Sequence, residues 1–182
     1  PGELRPGEHT LTLSFAGKIN QFGRGFFYGK YQEQGTGAKK IFLGTQFEAT
    51  DARRLFPCWD EPAFRARFQL TTVVPENWMA VSNMPVASEK KVTGGREVEF
   101  QLTPSMSSYL VVFCTGEFDA IESEVDGVKL RITTTKGKAE SARYALEVTA
   151  QILHYYNEYF GIPYPLPKLD QLAIPGGFGG AM

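Results

Sequence analysis

A mainly β fold, an antiparallel sandwich or saddle-like sheet followed by one long helix and a short strand, is predicted by three features of the sequence. Short runs of alternating polar and apolar residues recur over residues 1–136. Gly, Pro, Asn and Asp punctuate these runs at the roughly 8- to 12-residue spacing of sandwiches and barrels. From Ala139 to Phe160 the period then changes to three and four, with no Gly or Pro inside.

Taken in order, Pro1-Gly2 and Pro6-Gly7 are turn signals, and Thr10 to Phe15 alternates strictly, which predicts a half-buried strand. Gly23, Gly25 and Gly29 interrupt an aromatic stretch. A phosphate-binding loop would need a helix start and a Lys-Ser/Thr after them, so these read as turn glycines. After the loop Gln34-Gly35-Thr36-Gly37, residues Ile41 to Glu48 read as extended, with Leu43, Thr45 and Phe47 on one face and Gly44, Gln46 and Glu48 on the other. Gly44 would leave room there for something to approach.

Arg67 to Val74 alternates with Phe68, Leu70, Thr72 and Val74 inward, and a strand with Met79 and Val81 inward follows the Pro75-Glu76-Asn77 turn. Gly94-Gly95 turns the chain into the alternation Glu97 to Leu102. Tyr109 to Cys114 is apolar on both faces, the pattern of a central strand. Asp126-Gly127 is a hairpin signal, with Val128, Leu130 and Ile132 alternating on the return.

The helix over 139–160 carries Ala145, Val148, Thr149, Ile152, Tyr156 and Tyr159 at helical spacing; Gly161 is placed to cap it and Pro163 to stop it. A short strand, Gln171 to Ile174, comes next. The change of period predicts a boundary near Lys136, with a β domain over 1–136 and the opening of a second domain over 137–182. One amphipathic helix and one strand cannot cover their own apolar faces, so the second domain is expected to be truncated.

With 42% hydrophobic residues among 182, the chain can bury a core. Nineteen basic and 20 acidic residues, spread without runs, give a net charge of −1 and no footprint for nucleic acid or an anionic membrane. No apolar run approaches the roughly 20 residues a membrane helix needs, and PGELRPGEH lacks a secretory-signal layout. Cys58 and Cys114 sit among apolar residues and read as buried free thiols. The absence of an Asn-X-Ser/Thr site favours the cytoplasm over a glycosylated ectodomain.

Polar, charged and turn-forming residues are densest in GTQFEATDARRLFPCWDEP, Gly44 to Pro62. Pro57 and Pro62 restrict themselves and the residues before them, so the segment reads as a rigid turn. The string TQFEATDARRLFPCWDEPAFRARF, Thr45 to Phe68, resembles the signature of the zinc aminopeptidase family that includes aminopeptidase N and the puromycin-sensitive aminopeptidases. YPLPKLDQLAIPGGFGGAM, Tyr164 to Met182, resembles the same family's approach to its Gly-Ala-Met-Glu-Asn motif. Two matches in the right order are more specific than either alone.

The resemblance implies an amino-terminal β domain and the start of a catalytic domain, in an enzyme that removes single residues from peptide amino termini. It implies that Glu48 recognises the free α-ammonium of the peptide and that Gln46 contacts its first residue. Gly179, Gly180, Ala181 and Met182 would lie along the substrate backbone, although Pro175-Gly176-Gly177-Phe178-Gly179 departs from the family's usual residues there. The family's zinc is held by a His-Glu-X-X-His pattern to which neither His9 nor His154 belongs, so this fragment is expected to bind no metal and to hydrolyse nothing. Asp51, Arg53, Arg54, Asp60 and Glu61 read as a structural charge network. The partners expected are a peptide substrate and the remainder of the chain's own catalytic domain. A non-catalytic relative using the β domain as an interaction scaffold is the alternative.

Overall fold

A computed structural model describes residues 6–175. Its strands are β1 (Gly25–Gln32), β2 (Lys39–Gln46), β3 (Arg65–Ala66), β4 (Thr71–Val74), β5 (Met79–Ser82) and β6 (Val86–Val92), then β7 (Gly95–Phe100), β8 (Met106–Ser107), β9 (Phe113–Gly116), β10 (Phe118–Val125) and β11 (Val128–Thr135). Helix α1 (Arg143–Phe160) and β12 (Lys168–Leu172) complete it. The mainly β class with one long helix and a short strand is therefore the fold observed.

Four layers stack. The antiparallel sheet β4-β7-β6 packs on the antiparallel sheet β1-β2-β9-β5 through Val74, Ala80, Val98, Phe100 and Phe113. The opposite face of the four-stranded sheet carries Phe27, Phe42 and Cys114, against which Phe118, Leu172 and Ile174 rest. Those residues belong to or follow the third sheet, β10-β11-β12, in which β12 runs parallel to β11. The far face of that sheet buries Val128, Leu130 and Ile132 against Leu146 and Leu153 of α1. A short ladder, β3 with β8, closes the region below the Pro-rich turn.

Local chemistry explains the elements that match expectation. Asp126 and Gly127 both take positive φ, 50° and 76°, as a two-residue turn between β10 and β11 requires. Gly161 caps α1 in the left-handed conformation at φ 61°. The inward alternation from Phe68 to Val74 holds, although the regular ladder begins only at Thr71.

Several expectations need correction. Thr10 to Phe15 is not a strand: it is exposed, with Leu11 76% and Leu13 53% accessible, because a strand needs a ladder partner and none lies beside it among the described residues. The aromatic stretch after Gly23 is instead strand β1, where Gly29 lies directly across from Phe42. Strand β6, VASEKKV, is polar on both faces and shows no alternation; pairing with β7 alone makes it. The central strand β9 starts at Phe113, later than Tyr109, because Ser108–Leu110 form a 3-10 turn first. The last strand starts at Lys168 and ends at Leu172, not Ile174.

The helix begins with a 3-10 turn, Ala139–Ala142, before α1. Its buried residues are Ala142, Leu146 and Leu153, whereas Ile152, Tyr156 and Tyr159 are 47%, 50% and 68% exposed. The spacing marks two apolar stripes; only the first is covered here. Strands β10 and β11 share a sheet with β12 and a core with α1.

Candidate functional site

The candidate site begins where β2 ends. Strand β2 stops at Gln46, Phe47 is fully buried, and Glu48 to Asp51 form a turn, so Glu48 lies just past the strand and not on it. The Gln46 Oε1 accepts a hydrogen bond from the backbone N–H of Glu48 at 2.8 Å, which couples the two residues directly. The Asp51 N–H closes the turn on the Phe47 carbonyl at 2.8 Å. The Glu48–Ala49 peptide bond is cis.

Below this turn lies a dedicated apolar plug. Phe47, Ala52 and Val111 are buried together, with Leu55, Phe56 and Phe68 packed around them. Phe47 meets Phe56 edge-on at 6.2 Å between ring centroids. Burying a phenylalanine of this kind contributes about 1.5–3 kcal/mol, enough to hold the turn against the sheet.

Charge fixes the other half of the segment. Asp60 is 3% exposed and accepts hydrogen bonds from the Arg53 N–H at 2.9 Å, the Arg53 Nε at 3.0 Å and the Ser108 hydroxyl at 2.8 Å. Burial alone would push its carboxyl up; the donated bonds from Arg53 and Ser108 outweigh it and hold the carboxyl below its ordinary range. Arg53 Nη2 also donates to the Asp60 carbonyl at 2.8 Å, and Arg54 Nε pairs with Asp51 at 2.5 Å. The Ser107 hydroxyl donates to the Pro62 carbonyl at 2.6 Å. Asp51, Arg53, Arg54 and Asp60 thus form the expected structural network, while Glu61 is exposed and outside it.

Glu48 differs from Asp51 and Asp60. It is exposed, and its carboxylate makes no hydrogen bond or ion pair with any described residue. Gln46 is half-buried and spends its oxygen on Glu48, leaving its amide NH2 uncommitted among the described residues. Gly44 is buried, and a Cβ added there would make ordinary contact with the Phe27 ring at 3.4 Å, so the room it leaves faces that ring. Gly179, Gly180, Ala181 and Met182 lie outside the described residues. The chain that leads toward them leaves β12 with Leu172 and Ile174 packed on the cluster containing Phe42, which shares a face of β2 with Gln46.

Cys58 is half-buried and Cys114 buried; both are free thiols, and burial pushes the Cys114 thiol up to about 12. Among the described residues no group of three or more His, Cys, Asp and Glu is arranged to hold a metal ion. His154 is engaged elsewhere, its Nδ1 3.0 Å from Asp126 and its Nε2 3.5 Å from Glu158. The residues at hand therefore do not fit a zinc centre, and no step here runs through one. No helix is long and apolar enough to cross a membrane.

Sequence reasoning missed a second cluster of buried charge. Arg131 donates to Asp170 through Nε at 3.0 Å and Nη2 at 2.8 Å, and Lys168 pairs with the same carboxylate. The signal was the alternation Lys168, Asp170, Leu172, Ile174, which places charged and apolar residues on one face of β12.

Residues 1–110 match the model of the peptidase M1 N-terminal domain, and residues 144–182 match that of the peptidase family M1 domain. The chain is 46% identical over 182 residues to aminopeptidase M1-C of Oryza sativa subsp. japonica, covering all of this chain and 20% of that protein. It is 43% identical over 184 residues to aminopeptidase N of Acetobacter pasteurianus, covering 52% of that protein. With the puromycin-sensitive aminopeptidase of Caenorhabditis elegans it shares 41% over 185 residues, or 19% of that protein. The chain thus spans about a fifth of the rice and nematode relatives and about half of the bacterial one. Two domain models matched in order, over a β unit followed by a helix and strand, make this chain a member of peptidase family M1.

Proposed function

We propose that this chain is the amino-terminal part of a zinc-dependent aminopeptidase and that it contributes the subsite for the free amino end of a peptide. The observation that carries this reading is Glu48. Asp51 and Asp60, on the same segment, are each neutralised by an arginine, whereas the carboxylates of Glu48 and Glu61 are exposed and uncommitted among the described residues; of these two, it is Glu48 whose backbone N–H is held by the Gln46 Oε1. A carboxylate held this way suits an ammonium, because the charge-assisted hydrogen bond is worth about 1.5–3 kcal/mol and an internal peptide bond offers no cation to make it. Gln46, bonded to the backbone of Glu48, is placed to offer its amide NH2 to the first residue of the same ligand.

Gly179, Gly180, Ala181 and Met182 supply the backbone along which the peptide lies, pairing as an added strand. Support comes from the course of β12, whose end packs on the Phe42 face of β2. In this reading the zinc, which when bound would activate a water toward the scissile carbonyl, is held by other residues of the whole protein, and this chain alone is expected to hydrolyse nothing. Its second partner is the remainder of the peptidase domain, which covers Ile152, Tyr156 and Tyr159 on the open stripe of α1. A cytoplasmic site of action is part of this proposal.

The test is Glu48→Gln in the full-length protein, assayed on amino-acyl substrates. The change keeps the shape and removes the charge, so KM should rise by about 10- to 100-fold, the equivalent of that hydrogen bond. An unchanged KM removes Glu48 from the subsite.

A further inference from the structure

Arg131, Lys168 and Asp170 hold an unbalanced charge away from water. Their side chains are 25%, 10% and 9% exposed, and the two cations share the single carboxylate. Arg131 donates to it through Nε and Nη2, and Lys168 through Nζ, so the cluster keeps a net positive charge. Arg131 alone would neutralise Asp170, and a methionine in place of Lys168 would fill a similar length without desolvating an ammonium. The cost shows in Lys168 itself, whose proton affinity burial lowers. Donors are also left over. Lys168 Nζ spends a further N–H on the Ser82 carbonyl at 2.6 Å, but the Nη1 end of Arg131 makes no hydrogen bond with a described residue.

These three residues line a cavity of about 850 Å³, a volume within the usual range of small-molecule sites. Its wall on the side of β6 and β7 is apolar, made by the buried Met84 and Phe100 and by Val86, which is 40% exposed. Glu122 and Glu124, which stand across the β10–β11 ladder from Arg131 and Lys129, line the same cavity. Both are exposed and make no ion pair with a described residue, so neither supplies the missing negative charge. With two carboxylates against the one exposed Lys129, this outer side repels an anion whose charge is spread along its length. The complementary ligand carries one negative charge at its head and an apolar body behind it.

We propose that this cavity binds a singly charged organic carboxylate, with its head group on Lys168 and the Nη1 end of Arg131 and its apolar body against Met84, Val86 and Phe100. Bound there, the carboxylate balances the cluster and takes up the donors that Asp170 and Ser82 leave over. Glu48 and Gln46 play no part in this site.

The experiment is calorimetric titration of the full-length protein, as wild type, Lys168→Met and Glu48→Gln, with isocaproate, its uncharged amide and inorganic phosphate. Isocaproate should bind wild type and Glu48→Gln alike, and Lys168→Met about 10-fold more weakly, since a charge-assisted hydrogen bond is lost. On wild type the amide should bind about 10-fold more weakly than the acid, and phosphate no better than the amide. No binding of isocaproate to wild type overturns the proposal, and so does equal affinity for Lys168→Met. Amide or phosphate bound as tightly as isocaproate overturns it too. Affinity altered by Glu48→Gln and not by Lys168→Met assigns the acid to the peptide-end subsite and ends the case for this cavity. If instead Glu48→Gln leaves the KM for amino-acyl substrates unchanged, the peptide-end reading fails and this site stands on its own titration. Should Lys168→Met not fold, Val86→Glu places a negative charge on the exposed part of the apolar wall; isocaproate bound about 10-fold more weakly supports the site, and unchanged affinity overturns it.

Discussion

The Ser108 hydroxyl donates to the Asp60 carboxylate at 2.8 Å inside the Pro-rich turn, where both residues are 3% exposed. This bond ties the segment after Glu48 to the 3-10 turn Ser108–Leu110 that precedes β9. Asp60→Ala leaves the Ser108 hydroxyl and the Arg53 N–H without their partner, while the half-exposed Arg53 guanidinium can turn to water. The expected loss is about 2–3 kcal/mol, read from urea unfolding at pH 7. Because the folded-state carboxyl is held below its ordinary 3.8, its contribution is complete above that value and fades as pH falls through the folded value. The difference between wild type and variant should therefore shrink toward pH 2; a difference independent of pH contradicts the assignment.

His154 clasps α1 to the tip of the β10–β11 hairpin. Its hydrogen bond and charge attraction to Asp126, with Glu158 on the next turn, raise its proton affinity above the ordinary 6.5. Hydrogen bonds from Asn157 and His154 hold Asp126 below 3.8. A raised histidine stabilises fully below 6.5 and loses its contribution as pH rises through the folded value; a lowered carboxylate stabilises above 3.8 and loses its contribution as pH falls. The clasp is thus strongest between these values, near pH 5. An NMR titration should place His154 above 6.5 and return it toward that value in Asp126→Asn. A midpoint unmoved by that substitution means the contact is not populated.

Gly29 faces Phe42 across β1 and β2, and an added Cβ would come within 2.2 Å of the Phe42 ring. Phe42 is 1% exposed and packs edge-on against Phe27, so it has no room to retreat. Gly29→Ala should cost about 1–3 kcal/mol in chemical unfolding, the usual range for overpacking. A neutral or stabilising result means that the ring is not where this account places it.

What could be read from the sequence was mostly local. Asp126-Gly127 and Gly161 specify their own backbone conformations, so the hairpin and the helix end were legible. Thr10 to Phe15 was misread and Val86 to Val92 went unread for one reason: a strand is decided by its neighbour, and the pattern of one segment does not report whether a neighbour is there. The helix carries two apolar stripes, and spacing alone does not say that Leu146 and Leu153 face inward while Tyr156 and Tyr159 face out. Gln46 and Glu48 were found through the string around them, although the strand ends between them. The cluster of Lys168, Asp170 and Arg131 was not found, because Arg131 is distant in the chain from the other two and its register against Asp170 across β11 and β12 is a property of the sheet.

The most direct measurement concerns the ammonium itself. A peptide-like inhibitor and its twin lacking the α-amino group can be compared on full-length wild-type protein and on Glu48→Gln. If the Glu48 carboxylate reads the amino end, wild type prefers the amine-bearing compound by about 10- to 100-fold and the variant shows little preference. If the variant keeps the full preference, another group recognises the amino end and Glu48 is a solvated surface residue.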